Sequence, residues 1–106
     1  MWDFSLIKEA QKDFQKLDDS QKRIVVKMLE KLKENPLPKS RGGYGTPLGN
    51  DTTTGNLSGL FKLKARGVGI RLVYELIEVE NRSVVIVIGM REDKEVYKTA
   101  TKRKKM

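Results

Sequence analysis

Residues 61–77 constrain this chain more than any other stretch. They read Phe-Lys-Leu-Lys-Ala-Arg-Gly-Val-Gly-Ile-Arg-Leu-Val-Tyr-Glu-Leu-Ile. Strand side chains alternate between faces. Phe61, Leu63 and Ala65 therefore point one way, and Lys62, Lys64 and Arg66 the other. Further on, Ile70, Leu72, Tyr74 and Leu76 share one face, and Arg71, Val73, Glu75 and Ile77 share the opposite one. The pattern predicts two strands joined at Gly67-Val68. A two-residue hairpin turn there sets Arg66 opposite Gly69, Lys64 opposite Arg71 and Leu63 opposite Leu72. The register is self-consistent: one face is apolar, and the other collects Lys62, Lys64, Arg66 and Arg71.

Such a face carries a cost. Like charges directly opposed across two strands repel, and cross-strand pairs are worth roughly 0.2–1 kcal/mol. A hairpin selected only for stability would carry Glu or Thr there. Two readings stay open from the hairpin alone: a solvated basic face held apart by screening, or a face built for an anion, with phosphate first among candidates.

Composition narrows the chemistry. A chain of 106 residues makes one domain, residues 1–106, with a single modest core. No apolar run approaches the ~20 residues of a membrane span. The first residues lack the basic start and long apolar core of a secretory signal, so the default compartment is the cytoplasm. The absence of cysteine excludes disulfides and thiolate metal sites. The absence of histidine removes Ser-His triads, histidine bases and nearly every zinc catalyst. Chemistry falls to Lys, Arg, Tyr, Asp or Glu, with neither metal nor cofactor expected. The formal charge is +8, and residues 59–106 carry most of it, with 12 Lys/Arg against 6 Asp/Glu. Nucleic acid and the ribosome surface are natural partners for such a field.

The remaining elements follow from periodicity. Residues 2–7 read as a first strand. Ile7, Ala10, Phe14 and Leu17 mark one helical stripe; Val25, Met28, Leu29 and Leu32 mark a second, in a helix spanning about 20–34. Asp18-Asp19-Ser20 offers N-cap oxygens, and Asn35-Pro36 ends the second helix. The two helices are expected to form an antiparallel hairpin on one sheet face. Residues 39–58 are rich in glycine and threonine and are expected to be irregular. They lack the Gly-x4-Gly-Lys-Ser/Thr phosphate loop, and Lys39, Arg41 and Tyr44 read there as solvated rather than as RNA contacts. Val84-Val85-Ile86-Val87-Ile88 reads as an interior strand buried on both faces. Residues 93–103 are weakly helical, with Val96 and Ala100 on one side, and a basic tail follows. The fold class is α+β: a helical hairpin on a mainly antiparallel four-stranded sheet, in the order β-α-α-β-β-β-α.

Phe-Lys-Leu-Lys, Gly-Ile-Arg-Leu-Val-Tyr-Glu and Val-Ile-Gly-Met-Arg-Glu-Asp-Lys-Glu-Val-Tyr together resemble the RelE toxins of the RelE/ParE superfamily. These are ribosome-dependent messenger-RNA endonucleases of bacterial toxin–antitoxin pairs. The match is strongest over residues 58–103 and implies the same fold. RNA carries its own nucleophile, the 2′-hydroxyl. A histidine-free ribonuclease needs a base for it, cations on the pentavalent phosphate and a proton for the leaving 5′ oxygen. Crowded cations lower a lysine's hold on its proton, so the hairpin cluster suits the tuning of a base.

The resemblance assigns the catalytic parts to Lys62, Lys64, Arg71, Arg91 and Tyr97. It implies Lys64 as general base and Lys62 and Arg71 on the transition-state phosphate. Arg91 would stabilise the leaving group and donate to it, and Tyr97 would orient the substrate. Arg66, Lys98, Lys102 and Arg103 are expected as supporting RNA contacts. Each residue has a plainer role open to it: Arg71 pairing with Glu75, Arg91 with Glu92 or Glu95, Tyr97 packing. Five matches in order outweigh these. The chain departs from other members at Met90, where some carry a cation, and in Glu92-Asp93, which dilutes the positive charge. The implied partners are a cognate antitoxin and the 70S ribosome with its message, without membrane or small-molecule cofactor. The alternative is a ParE-like toxin that inhibits DNA gyrase on the same fold; a plain RNA-binding module leaves the five matches unexplained.

Overall fold

The computed structural model describes residues 2–51, 55–65, 67–90 and 93–104, with backbone alone at 50–51, 55–56 and 93–94. The elements run β1 (Asp3–Leu6), α1 (Lys8–Gln15), α2 (Asp19–Glu34), β2 (Thr46–Pro47), β3 (Asn50–Asp51), β4 (Gly55–Asn56), β5 (Leu60–Ala65), β6 (Ile70–Ile77), β7 (Arg82–Gly89) and α3 (Asp93–Lys104). The expected α+β order is present, with β1 and α1 slightly shorter than the sequence patterns suggest.

α2 begins at a capping box. The Asp18 carboxylate accepts from the Gln21 N–H at 2.8 Å, and the Gln21 side chain accepts from the Asp18 N–H at 3.0 Å. The Gln21 N–H and the Ser20 hydroxyl hold the Asp18 carboxyl below its ordinary range. The predicted stripe of α2 (Val25, Met28, Leu29 and Leu32) is buried. It packs with Ala10 of α1 against Leu63, Ile70, Leu72, Tyr74, Val85 and Ile88. The helical hairpin thus covers one face of the sheet.

The sheet order is β1-β7-β6-β5-β2. β1 runs parallel to β7, and the other neighbours are antiparallel. β2 adds a short edge strand to the four that were expected, pairing Thr46 with Lys62 and Pro47 with Phe61. An edge tolerates Pro47 because its missing N–H costs no interior hydrogen bond. The stretch expected to be irregular therefore contains this strand, a single helical turn at Lys39–Arg41 and the small β3–β4 pair.

The central hairpin adopts the expected register, with Leu63 opposite Leu72 and Lys64 opposite Arg71. Gly67 and Gly69 turn the chain at φ +82° and +72°, a backbone conformation that other residues enter at a cost. Arg66 lies outside the described residues. Between β6 and β7 the register shifts: Val73 opposes Val87, but Tyr74 opposes Val85. Ile86 is the extra residue of this bulge. Its effect is to bring Ile86 and Val87 onto the same side, in a second core with Leu57, Leu60, Val73, Val96 and Ala100. α3 closes that second face. Among the described residues no helix is long and apolar enough to cross a membrane.

Candidate active site

Each cation of the hairpin face is placed by strand pairing. Lys62 sits opposite Val73, and Lys64 opposite Arg71, on the face that α3 covers. Arg71 is also the neighbour of Gly89, the last residue of β7. Lys64, Arg71 and Gly89 therefore lie side by side across three strands at one end of the sheet. The Arg71 guanidinium donates through Nη1 to the Gly69 carbonyl at 2.8 Å, which braces it against the turn. Lys64 is exposed, and Lys62 and Arg71 are half-buried.

Tyr97 belongs to the same constellation. It is half-buried on α3, and the Lys62 Nζ lies 5.7 Å from its ring centroid. That distance is a cation–π contact. Lys62, Lys64 and Arg71 thus share one face of the β5–β6 hairpin, and Tyr97 meets that face from α3 at Lys62, which accounts for four of the five expected catalytic residues. The fifth, Arg91, lies outside the described residues, two positions beyond Gly89.

The seat of α3 depends on contacts that helical periodicity does not reveal. Val96 and Ala100 are buried, and the helix comes so close to β7 that a Cβ on Gly89 would lie 2.9 Å from Val96 Cγ2. Arg103 closes the far end. Its Nη1 and Nη2 donate to Asp13 of α1 at 2.7 and 3.2 Å, and Nη1 also donates to the Ile86 carbonyl at 2.8 Å. Asp13 accepts in addition from the Ile88 N–H at 3.1 Å. The pair satisfies the part of the β7 edge that lies beyond the reach of β1, whose pairing stops at Val85. Arg103, read as an RNA contact, thereby has a structural function. Lys98 and Lys102 are exposed on α3.

Loop folding brings further cations to the site. The Tyr74 hydroxyl donates to the Pro36 carbonyl at 2.6 Å, and the Tyr44 N–H donates to the Asn35 carbonyl at 3.2 Å. A Cβ on Gly45 would collide with the Tyr74 hydroxyl, so this glycine serves close packing. The loop consequently lies beside β5 and draws Lys39, Tyr44 and Thr46 toward Lys62 and Lys64. Lys31 of α2 joins them. In the sequence Lys31 has the look of any polar helix position, and no local signal separates it from Lys33. Arg41 instead pairs with Glu78 at 2.6 Å.

This arrangement offers concentrated positive charge, a half-buried aromatic ring and no imidazole or thiol. It suits binding of a phosphodiester and proton transfer by an amine. No family model matches the chain. The chain is 32% identical over 94 residues to the mRNA interferase toxin RelE of Escherichia coli strain K12, a match spanning 89% of this chain and 87% of the relative. The crystal structure of the isolated E. coli RelE toxin superposes with a TM-score of 0.68 at 27% identity, covering 97% of this chain and 98% of that one. RelE in the intact E. coli RelBE toxin–antitoxin complex superposes with a TM-score of 0.64 at 25% identity, over 87% and 99% of the two chains. Similarity at that identity over nearly the full length of both proteins places the chain in the RelE toxin family.

Proposed function

We propose that this protein is the toxin of a type II toxin–antitoxin pair and a ribosome-dependent endoribonuclease that cuts messenger RNA in the A site. The observation that carries the reading is Lys62 and Lys64 beside Arg71 on the face that Tyr97 overhangs. The relative named mRNA interferase supports it. In the reaction, Lys64 removes the 2′-hydroxyl proton and the 2′ oxygen bonds to phosphorus. The bond to the 5′ oxygen breaks, and that oxygen takes up a proton. The products are a 2′,3′-cyclic phosphate and a 5′-hydroxyl. Lys62 and Arg71 stabilise the charge on the pentavalent phosphate, Arg91 stabilises the leaving oxygen and donates to it, and Tyr97 orients the substrate. The reaction needs no metal, and its natural setting is the cytoplasm, where ribosomes and message meet.

A cognate antitoxin is the second partner. The RelBE complex supports this by similarity, and the net charge of +8 favours a small acidic protein. Isothermal titration of the two proteins should give a tight complex; absence of binding would count against the pairing.

Primer extension on a defined message in a reconstituted translation reaction tests the activity. Wild type should cut within codons at the A site, and only with ribosomes present. Lys64→Ala and Arg91→Ala should each lose roughly 10²–10⁴-fold in rate, the usual contribution of an acid or base. An intact message with wild type would sink the nuclease reading and direct attention to gyrase supercoiling.

A further inference from the structure

The outer edge of β5 is covered by β2 only at Phe61 and Lys62. Beyond that point a cleft of about 530 Å³ opens between the edge, the C-terminal half of α2 and the loop before β2. Its walls include Lys31, Lys39, Tyr44, Thr46, Lys62 and Lys64. No Asp or Glu lines it among the described residues. Two of its lysines, Lys62 and Lys64, are those of the candidate active site, so the cleft is continuous with that site around the strand edge. The Lys31 Nζ stands 5.5 Å from the Tyr44 ring centroid. The Tyr44 hydroxyl donates to Glu34 at 3.3 Å, which holds the ring at the mouth; the Glu34 charge raises the pKa of this phenol. A volume within the roughly 300–1,000 Å³ range of ligand sites, four ammonium groups and one braced aromatic ring match a nucleotide: phosphate on the lysines, base on the ring.

We propose that this edge cleft binds the single-stranded RNA segment next to the scissile phosphate, with Lys31 and Lys39 each on a flanking phosphodiester and Tyr44 against a base. The inference rests on the proposed nuclease only for which phosphate is cut; the cleft's affinity for RNA stands apart from cleavage. The segment passes over the open β5 edge, and its charge is matched by lysines on both sides of the strand. Its function is to fix the register of the message, so that the 2′-hydroxyl presented to Lys64 is a defined one.

The test is fluorescence anisotropy with a short single-stranded RNA methylated at every 2′ oxygen, which binds but is not cut. The proteins are wild type, Lys31→Ala/Lys39→Ala, Lys31→Arg/Lys39→Arg, Tyr44→Ala and the charge-matched control Lys8→Ala/Lys12→Ala. All four lysines substituted are exposed, and unchanged Tm values verify folding. Losing two phosphate contacts should reduce the slope of log K against log salt by about 1.4 and weaken binding roughly tenfold at low salt. The arginine pair should restore both. Tyr44→Ala should weaken binding and leave the slope unchanged. The control pair should change neither.

Equal loss in the control and cleft pairs would overturn the cleft and assign binding to the overall field. Undiminished RNA binding in the cleft pair, with loss of affinity for an acidic antitoxin instead, would reassign the surface to a protein partner. A parallel message-cutting assay separates the two ideas. Wild type that cuts, with RNA affinity unaffected by the cleft substitutions, overturns the cleft alone. Cleft-dependent RNA binding without cutting overturns the nuclease and upholds the cleft.

Discussion

Tyr74 is fully buried in the core beneath the helical hairpin and stacks on Phe61 with ring centroids 5.7 Å apart. Its hydroxyl is the one polar atom of that side chain, and it is spent on the Pro36 carbonyl at 2.6 Å. That bond ties the loop wall of the edge cleft to the sheet together with the β2–β5 pairing. Tyr74→Phe should cost about 0.5–1.5 kcal/mol in urea unfolding and loosen the loop, read as faster amide exchange at Tyr44 and Gly45. Burial also raises the pKa of this phenol above its ordinary value. The neutral form is thus favoured by folding. The stability it contributes is fully present below the unfolded tyrosine pKa of about 10 and is lost as pH rises above it. Wild type should lose stability over that alkaline range more steeply than Tyr74→Phe, as followed by Tm against pH.

α3 is the element on which the site's geometry turns, and it is lightly held. Among its described side chains, Val96 and Ala100 alone are fully buried, with Tyr97 half-buried. The Asp13–Arg103 pair supplies a large share of the remaining attachment, because both side chains are more than four-fifths buried and both also bond to the β7 backbone. Removing one partner leaves the other charge shielded from water. Asp13→Asn or Arg103→Ala should destabilise the protein by about 1–3 kcal/mol, and amide exchange should quicken in α3 before the rest of the chain. Cleavage should fall with it, since Tyr97 reaches Lys62 only while α3 is seated. Unchanged exchange in α3 would show that Val96 and Ala100 suffice.

At the scale of the whole molecule, charge and absent residue types shape the chemistry. With neither histidine nor cysteine in 106 residues, the side chains most suited to zinc are missing. Cleavage should therefore persist when free divalent ions are chelated with EDTA under conditions that keep the ribosomes assembled, such as high polyamine. Inhibition reversed by a catalytic metal and not by added magnesium would contradict the lysine-based reaction. The same whole-chain view explains why a basic protein keeps a cationic sheet face: the repulsion between Lys64 and Arg71 is tolerated because the rest of the sheet is doubly covered, by the helical hairpin on one face and α3 on the other.

The amino-acid sequence by itself determined the local elements and their pairing partners where a strict period was present. The alternation in residues 61–77 sets Lys64 opposite Arg71, since a slip of one residue would turn Phe61, Leu63 and Ala65 away from the face shared by Ile70, Leu72 and Tyr74. The capping residues bound α2, and the stripes of α1 and α2 name the residues that reach the core. Where the period vanished, the chain was silent. The run Val84-Val85-Ile86-Val87-Ile88 is apolar throughout, so nothing in it marks Ile86 as the bulge residue. Only the packing of two different cores against β7 decides that Val85 faces one and Val87 the other. The glycine-rich stretch was equally mute, because Gly45 is required by the Tyr74 hydroxyl, a group 29 positions away. Arg103 finds Asp13 across 90 residues, and Lys31 joins Lys62 through a cleft that exists only once three elements have docked. Such contacts depend on distances that no local pattern encodes, and tertiary structure alone brings them together.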